Sequence, residues 1–512
     1  MLISAPSRMR RGPSLGSSTT ADISSLCRGT LATVFSFYLA GKGTPLAGPI
    51  PSALLLAHVC SEWKRVTMLP AYRSFWSNIV VVNPQPFDFH LVKHSITLSG
   101  DLPLTVTFGA HQIMNRSGVA WATLQKLMKG ASRWKNLSLN VVGTNFPQLP
   151  SLPSLECCDL GLTGAWHVDD IQNLCTSILR SPSLRTFIFQ SPLPLPHECS
   201  PDLTTDISCP DWSRLQFLQL HHTHDDNHLA QILSHCTSLE SLHIRLVPPE
   251  HALPSAEAIR IPNLRTLHLG PLEYRNTFLS RLDTPNLRAL VISPGGARGV
   301  LGRDILLDFI DRVSKTSKLK SLAWCEVKDY PSPELLVDFF YHPSICDDLE
   351  ELELQMPISD TFIEALRGPT QLPPNWRRIP IDRRFIGQPP PHNSPLLPQL
   401  KKLRLSGAAM VRCSPDQLGS LAKVRFGYKA GIGREALQQL VFQRLGPSAA
   451  TPKRHPIGRP GSAGVLNERQ DKEKLEAWLR DIDGVSFEAV EVHTDRAGGW
   501  LFTVTADRVG EL

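Results

Sequence analysis

Long apolar runs are missing from this sequence. No stretch reaches the ~18–20 residues that a bilayer-spanning helix needs. The longest candidates, LATVFSFYLA (31–40) and ALLLAHVC (53–60), fit short buried helices better. No membrane partner is expected. Aromatic residues are scarce, at 7% of 512 residues. Neither sign of charge dominates: 53 Lys and Arg stand against 47 Asp and Glu, a net +6 that is too small for this length to argue for nucleic acid. The 11 cysteines form no framework; Cys157 and Cys158 are adjacent and the rest are scattered. An odd, unpatterned set reads as reduced thiols, hence a cytoplasmic or nuclear location. No nucleophile elbow, phosphate loop or metalloprotease helix occurs, so neither catalysis nor a cofactor is expected. Acids are absent before Asp22, while Arg8, Arg10 and Arg11 stand there. Residues 1–21 read as a disordered basic tail. A transit peptide fits the composition too, but Pro6, Gly12, Pro13 and Gly16 interrupt its helix.

What is present is a repeat. Leucine, two variable residues, an apolar residue, one variable residue and another apolar residue recur from Leu184, Leu215, Leu239, Leu264, Leu287, Leu319, Leu349 and Leu400. Weaker copies begin at Trp134, Leu155 and Leu421. Most intervals are about 21–32 residues, near the roughly 20–29 of a leucine-rich repeat. The last apolar positions alternate with polar ones, as in a strand with one buried face. Proline stands two residues before the leucine at Pro153, Pro182, Pro262, Pro285 and Pro398, where it ends the preceding segment. Helical patterns such as 228–236, 305–315 and 333–340 lie between copies. Strand, crossover helix and parallel strand make the unit that stacks into a solenoid.

Over about residues 130–430 the chain resembles the leucine-rich-repeat family. The interval from Leu349 to Leu400 is too long for one repeat. Its Pro- and Arg-rich segment, about 367–397 with Arg377 and Arg383, reads as an insertion loop. Two tempting motifs are weaker. The run 221–236 gathers His221, His222, His224, Asp225, Asp226, His228, His235 and Cys236, but without an established metal-ligand spacing, and it follows a strand. It reads as a polar loop. GIGREA (431–436), between the strand-like AKVRF and the helix-like EALQQLVF, mimics a dinucleotide turn. No acid stands about 20 residues on, where a ribose would need one.

Before the repeats lies a different texture. Leu26, Leu31, Val34, Phe35 and Leu39 fall near helical spacing, and so do Leu54, Leu55, Val59, Trp63 and Val66 after a Gly/Pro-rich connection. Phe75, Trp76 and Ile79 follow. Short helices over about 50 residues make a marginal core that often completes its burial on another protein. Leu55, Val59, Cys60, Trp63, Leu69 and Trp76, with Leu26, Leu31, Val34 and Phe35 upstream, resemble the F-box, in the form common in fungal F-box/leucine-rich-repeat proteins. The family usually opens on Leu-Pro with a nearby Glu; this chain has Cys27, Arg28 and Gly29 there. The resemblance spans residues 22–82. It implies that this unit docks the adaptor subunit of a cullin–RING (SCF-type) ubiquitin ligase while the repeats select the protein to be modified. A plain helical cap on a repeat scaffold with no ligase link is the alternative.

The expected fold is α/β: a small all-α N-terminal F-box-like unit (22–82), a connector with first solenoid elements (83–133), and a solenoid with a parallel concave sheet and a helical convex side (134–445). A linker (446–464) and a small C-terminal α+β extension (465–512) follow. The adaptor would meet Leu26, Leu31, Val34, Phe35, Leu55, Val59, Trp63, Leu69 and Trp76. An unknown target would meet outward strand residues: Gln219, His221, His243, Arg245, His268, Glu351, Glu353, Lys402, Arg404, Lys423 and Arg425. These suggest an acidic patch near Glu351 and a basic one near Lys402.

Overall fold

The computed structural model describes residues 27–40, 53–114, 118–143, 146–164, 166–191, 212–223, 226–246, 258–270, 278–293, 303–324, 347–355, 360–367, 396–406, 439–444, 485–494 and 497–506, with residues 339, 340, 342, 345, 358, 418, 421 and 476 between them. One open sheet organises them. Its strands are β1 (Asn78–Val82), β2 (Leu104–Met114), β3 (Trp134–Gly143), β4 (Cys157–Thr163), β5 (Thr186–Gln190), β6 (Phe217–Thr223), β7 (Ser241–Leu246), β9 (Thr266–Leu269), β11 (Ala289–Ile292), β12 (Ser321–Trp324), β13 (Glu351–Leu354), β14 (Lys402–Ser406) and β15 (Gln439–Arg444). These 13 run parallel in chain order, and the antiparallel hairpin of β16 (Val485–Thr494) and β17 (Ala497–Ala506) closes the far end through β17. Two short strands, β8 (Ile259–Arg260) and β10 (Leu282–Asp283), pair separately.

The repeat explains the sheet. Within each short strand the second and fourth residues are buried and the first and third half-buried. The register stacks Leu242, Leu267, Leu290, Leu322, Leu352, Leu403 and Leu440 in one row. The leading leucines are buried beneath it. Crossover helices α6 (Val168–Leu179), α7 (Asp226–His235), α9 (Arg303–Ser314) and α10 (Asp360–Arg367) carry buried residues into the same core. On α6 these are Ile171, Leu174, Cys175 and Ile178, spaced for one helical face. A further signal lies between the proline and the leucine of the repeat. Ser183 Oγ, Asn263 Nδ2 and Asn286 Nδ2 donate to the carbonyls of Pro153 (3.0 Å), Thr237 (2.8 Å) and Pro262 (2.7 Å), tying each turn to the one before. Such bonds satisfy turn carbonyls that the strands leave unpaired.

Several expectations change. The sheet begins at β1, inside the segment assigned to the helical unit, and β2 joins it without the leucine signature. The strand beside β14 is β15, not the copy starting at Leu421. Leu418 and Leu421, three residues apart as one helical face requires, are helical and buried. Conversely QLVFQR (439–444), read as helical, is a strand: pairing with β14 on one side and β17 on the other overrides its helical propensity. The C-terminal strands β16 and β17 continue the sheet at its end. His221 and His222 belong to β6, not to a loop. The basic tail, most of the insertion, the 446–464 linker, Leu26, His224, Asp225, Lys423 and Arg425 lie outside the described residues.

A joint links the N-terminal helices to the sheet. On α4 (Asp88–Leu98), Val92 enters the sheet core while Leu98 packs on the N-terminal unit. Gly100 follows with φ +59, and a Cβ there would stand 3.1 Å from Arg73 Nη1. Arg133 donates to the carbonyls of Ile96, Gly100 and Leu102, which absorbs the unsatisfied end of α4.

Candidate protein-interaction surfaces

The N-terminal unit has its own closed core. It comprises α1 (Arg28–Ala40), α2 (Ala53–Ala57), α3 (Ser61–Thr67) and a 3-10 segment (Pro70–Trp76). Leu31, Phe35, Leu56, Val66, Phe75 and Trp76 fill it, with Trp63, Leu39 and Tyr72 packed around them. Phe35 meets Trp63 edge-on at 4.8 Å and Phe75 at 6.3 Å, while Tyr72 stacks on Phe75. Trp76 Nε1 donates to the Thr67 carbonyl at 2.8 Å, so the buried indole keeps its bond. The Cys60 thiol caps α3 by accepting from the Trp63 N–H. Glu62 joins Arg28 (3.3 Å) and Arg65 (2.6 Å), and the carboxyl is held below its usual range, chiefly by its bond to Arg65.

This core divides the expected adaptor set. Leu31, Phe35 and Trp76 are buried and cannot meet a partner while the unit is folded; Trp63 and Leu69 are half-buried. Val34 (49% exposed), Leu55 (46%) and Val59 (60%) face outward. Phe37, 75% exposed, and Tyr38, at 43%, join them. Sequence reasoning missed these two although the signal was legible. Residues 31, 35 and 39 form one apolar stripe on α1, and 34, 37 and 38 form a second at equally helical spacing. A helix with an apolar arc this wide has more to bury than its own fold covers.

The second surface is the sheet face away from the helices. Across β6, β7 and β9 it carries Gln219, His221, His243 and His268. Gln219 Nε2 lies 2.6 Å from His221 Nε2, and His268 Nε2 lies 3.0 Å from Ser293 Oγ. His243 sits edge-on between Phe217 and His268, 4.8 Å from each ring. Burial, then the neighbouring His268 and His221, pushes His243 down to about 4. His268 is lowered in the same way, by burial and His221. Both rings are therefore neutral at pH 7. On β4, burial raises Asp159, opposed by its bond to Ser138 and by His221. Arg245 lies in β7. Among the described residues no group of three or more His, Cys, Asp or Glu is placed to hold a metal ion, and no helix is long and apolar enough to cross a membrane.

No known protein family matches this sequence, and no curated protein matches it either.

Further along the same face, the expected acidic and basic patches prove to be one ladder. The register sets Glu351 opposite Lys402 and Glu353 opposite Arg404. Lys402 Nζ reaches Glu351 Oε1 at 2.6 Å, and Arg404 Nε reaches Glu353 Oε1 at 3.6 Å. Beside them Glu350 accepts from both Lys320 and Lys401, and those bonds hold its carboxyl below the usual range, Lys320 contributing most. The charges cancel across the strands instead of forming two fields. Between ladder and histidines the face is low, lined by Ala289, Val291, Ser321 and Ala323. The arrangement supplies contact surface and hydrogen-bonding groups.

Proposed function

We propose that this chain is the substrate-recognition subunit of a cullin–RING (SCF-type) ubiquitin ligase, with the N-terminal unit as its F-box. In this reading the adaptor covers Val34, Phe37, Tyr38, Leu55 and Val59, and the open sheet face from β6 to β14 holds the target protein. The chain itself performs no chemistry. The observation that carries the reading is a unit whose core is already closed yet which shows five large apolar side chains, each more than 40% exposed. Isolated apolar residues are ordinary on a surface, but a stripe repeated along one helix is the mark of a docking face. Because each is already partly covered, hiding the rest of each side chain contributes about 1 kcal/mol before the cost of association.

The test is co-purification of the intact chain with the SCF adaptor. The wild type should retain it, and Val34→Asp with Phe37→Asp should lose at least tenfold in binding while unfolding at the same temperature. A wild-type chain that never retains adaptor refutes the proposal. One observation favours the alternative, a repeat scaffold capped by these helices: α4 contributes to both cores and ties the unit to the sheet. Under that reading the double substitution leaves every interaction of the chain intact.

A further inference from the structure

Along the sheet, acids are matched with bases. Glu156 and Glu240, just ahead of β4 and β7, meet Lys135 (3.2 Å) and Arg265 (3.6 Å). Glu350, Glu351 and Glu353 meet Lys320, Lys402 and Arg404 within 3.6 Å. Asp159 departs from this rule. It lies half-buried on β4, on the face away from the helices, and meets no Lys or Arg among the described residues. Ser138 Oγ donates to its Oδ2 at 3.3 Å. Burial raises the carboxyl above its usual range, against the pull of that bond and of His221. A carboxylate taken partly out of water without a counter-charge costs free energy, and a cation brought to it offsets that cost.

The surroundings set the form of the cation. Register places Ser138 on one side of Asp159 and Ile188 on the other, with Gln219 beyond Ile188. Ile188 is half-buried, so apolar surface lies one strand spacing, roughly 4.8 Å, from the acid. Gly161, next on this face of β4, has no side chain, and the Asn140 amide leans over it: a Cβ there would stand 3.3 Å from Asn140 Oδ1. Carboxylate, hydroxyl and amide thus gather beside an apolar neighbour. Lysine and arginine have the matching form, an aliphatic stem that lies on apolar surface and a charged head that only donates. We propose that Asp159 anchors a lysine or arginine side chain of the bound target protein, with the stem of that side chain on Ile188. This extends the target surface from β6 to β4. It rests on the reading of the sheet face as the target site and makes no use of the adaptor.

The test is capture, by the intact chain, of a biotinylated decapeptide library in which a central residue is fixed as each amino acid in turn and the others are mixed. Sublibraries fixed as Arg or Lys should be retained at least about tenfold above the Ala sublibrary, the size of one charge-assisted hydrogen bond. Asp159→Asn should bring them down to the Ala level. Asparagine keeps an acceptor for Ser138 and removes a charge that burial opposes, so this variant should unfold at no lower a temperature. Asp169→Asn, on the exposed surface of α6, removes the same charge and should leave the selection unchanged. Equal losses in the two variants mean an effect of net charge and overturn the proposal. Basic selection that survives in Asp159→Asn overturns it, as do selection of acidic or apolar residues and retention of no sublibrary at all. Adaptor co-purification is a separate measurement, so the ligase reading and this one fail independently.

Discussion

Two phenylalanines two residues apart on α1 test the division of that helix into an inner and an outer face. Phe35 is fully buried among Trp63, Phe75 and Leu31; Phe37 is 75% exposed. Replacing a buried Phe by Ala loses the transfer energy of the ring and leaves a cavity, about 3–5 kcal/mol. The gain in helix propensity on reaching Ala returns only about 0.5 kcal/mol. A unit this small has a margin of about 3–5 kcal/mol, so Phe35→Ala should unfold it. Phe37→Ala gains the same propensity and leaves no cavity, so its stability should move by no more than about 0.5 kcal/mol. Hydrogen exchange resolved by peptide is the assay. In Phe35→Ala, amides of 28–40 and 53–76 should lose protection while those of β4 to β14 keep it, because Leu98 and the contact of Arg73 with Gly100 form the seam between the two parts. Equal effects from the two substitutions would refute the two-faced reading of α1. Loss of protection through the whole sheet would refute the separateness of the unit.

The ladder on β13 and β14 should behave as a cross-strand pair. Glu351→Lys places like charges opposite one another and should destabilise by about 0.5–1 kcal/mol, and adding Lys402→Glu should restore most of it in a denaturant double-mutant cycle. At Gly100, valine meets both the positive φ and the Arg73 side chain and should cost about 1–3 kcal/mol, seen as a lower unfolding midpoint with earlier exchange in α4. His243 sets a pH dependence. Its folded value, about 4, lies below the ordinary 6.5, so the folded state binds fewer protons; stability is full above pH 6.5 and falls as pH drops toward 4. Titrating the unfolding midpoint should show a shallower fall in His243→Gln.

Much of the fold was legible because its cause is local. A leucine with apolar residues three and five positions on, returning at intervals that fit a strand and a crossover, dictates stacked parallel strands. The core rows of Leu242, Leu267 and Leu290 are visible before any coordinates. The same reasoning failed where local pattern is degenerate. Leu421 also stands three residues from Leu418, as on one helical face, and the place beside β14 is taken by QLVFQR instead. β1, with three valines, and β2 lack the repeat, so their place in the sheet came from pairing.

For the candidate surfaces the division is sharper. The sequence by itself determined that the apolar arc of α1 is wide, and that the strands present Glu351, Glu353, Lys402 and Arg404 outward. Which side of α1 is core was decided by α3 and the 3-10 segment, which bury Phe35 and leave Phe37 bare. That the acids and bases cancel was decided by register, which sets residues 51 apart in the chain face to face. The physical reason is common to both: periodicity along a chain fixes which residues share a face, whereas burial and charge depend on what another segment brings to that face.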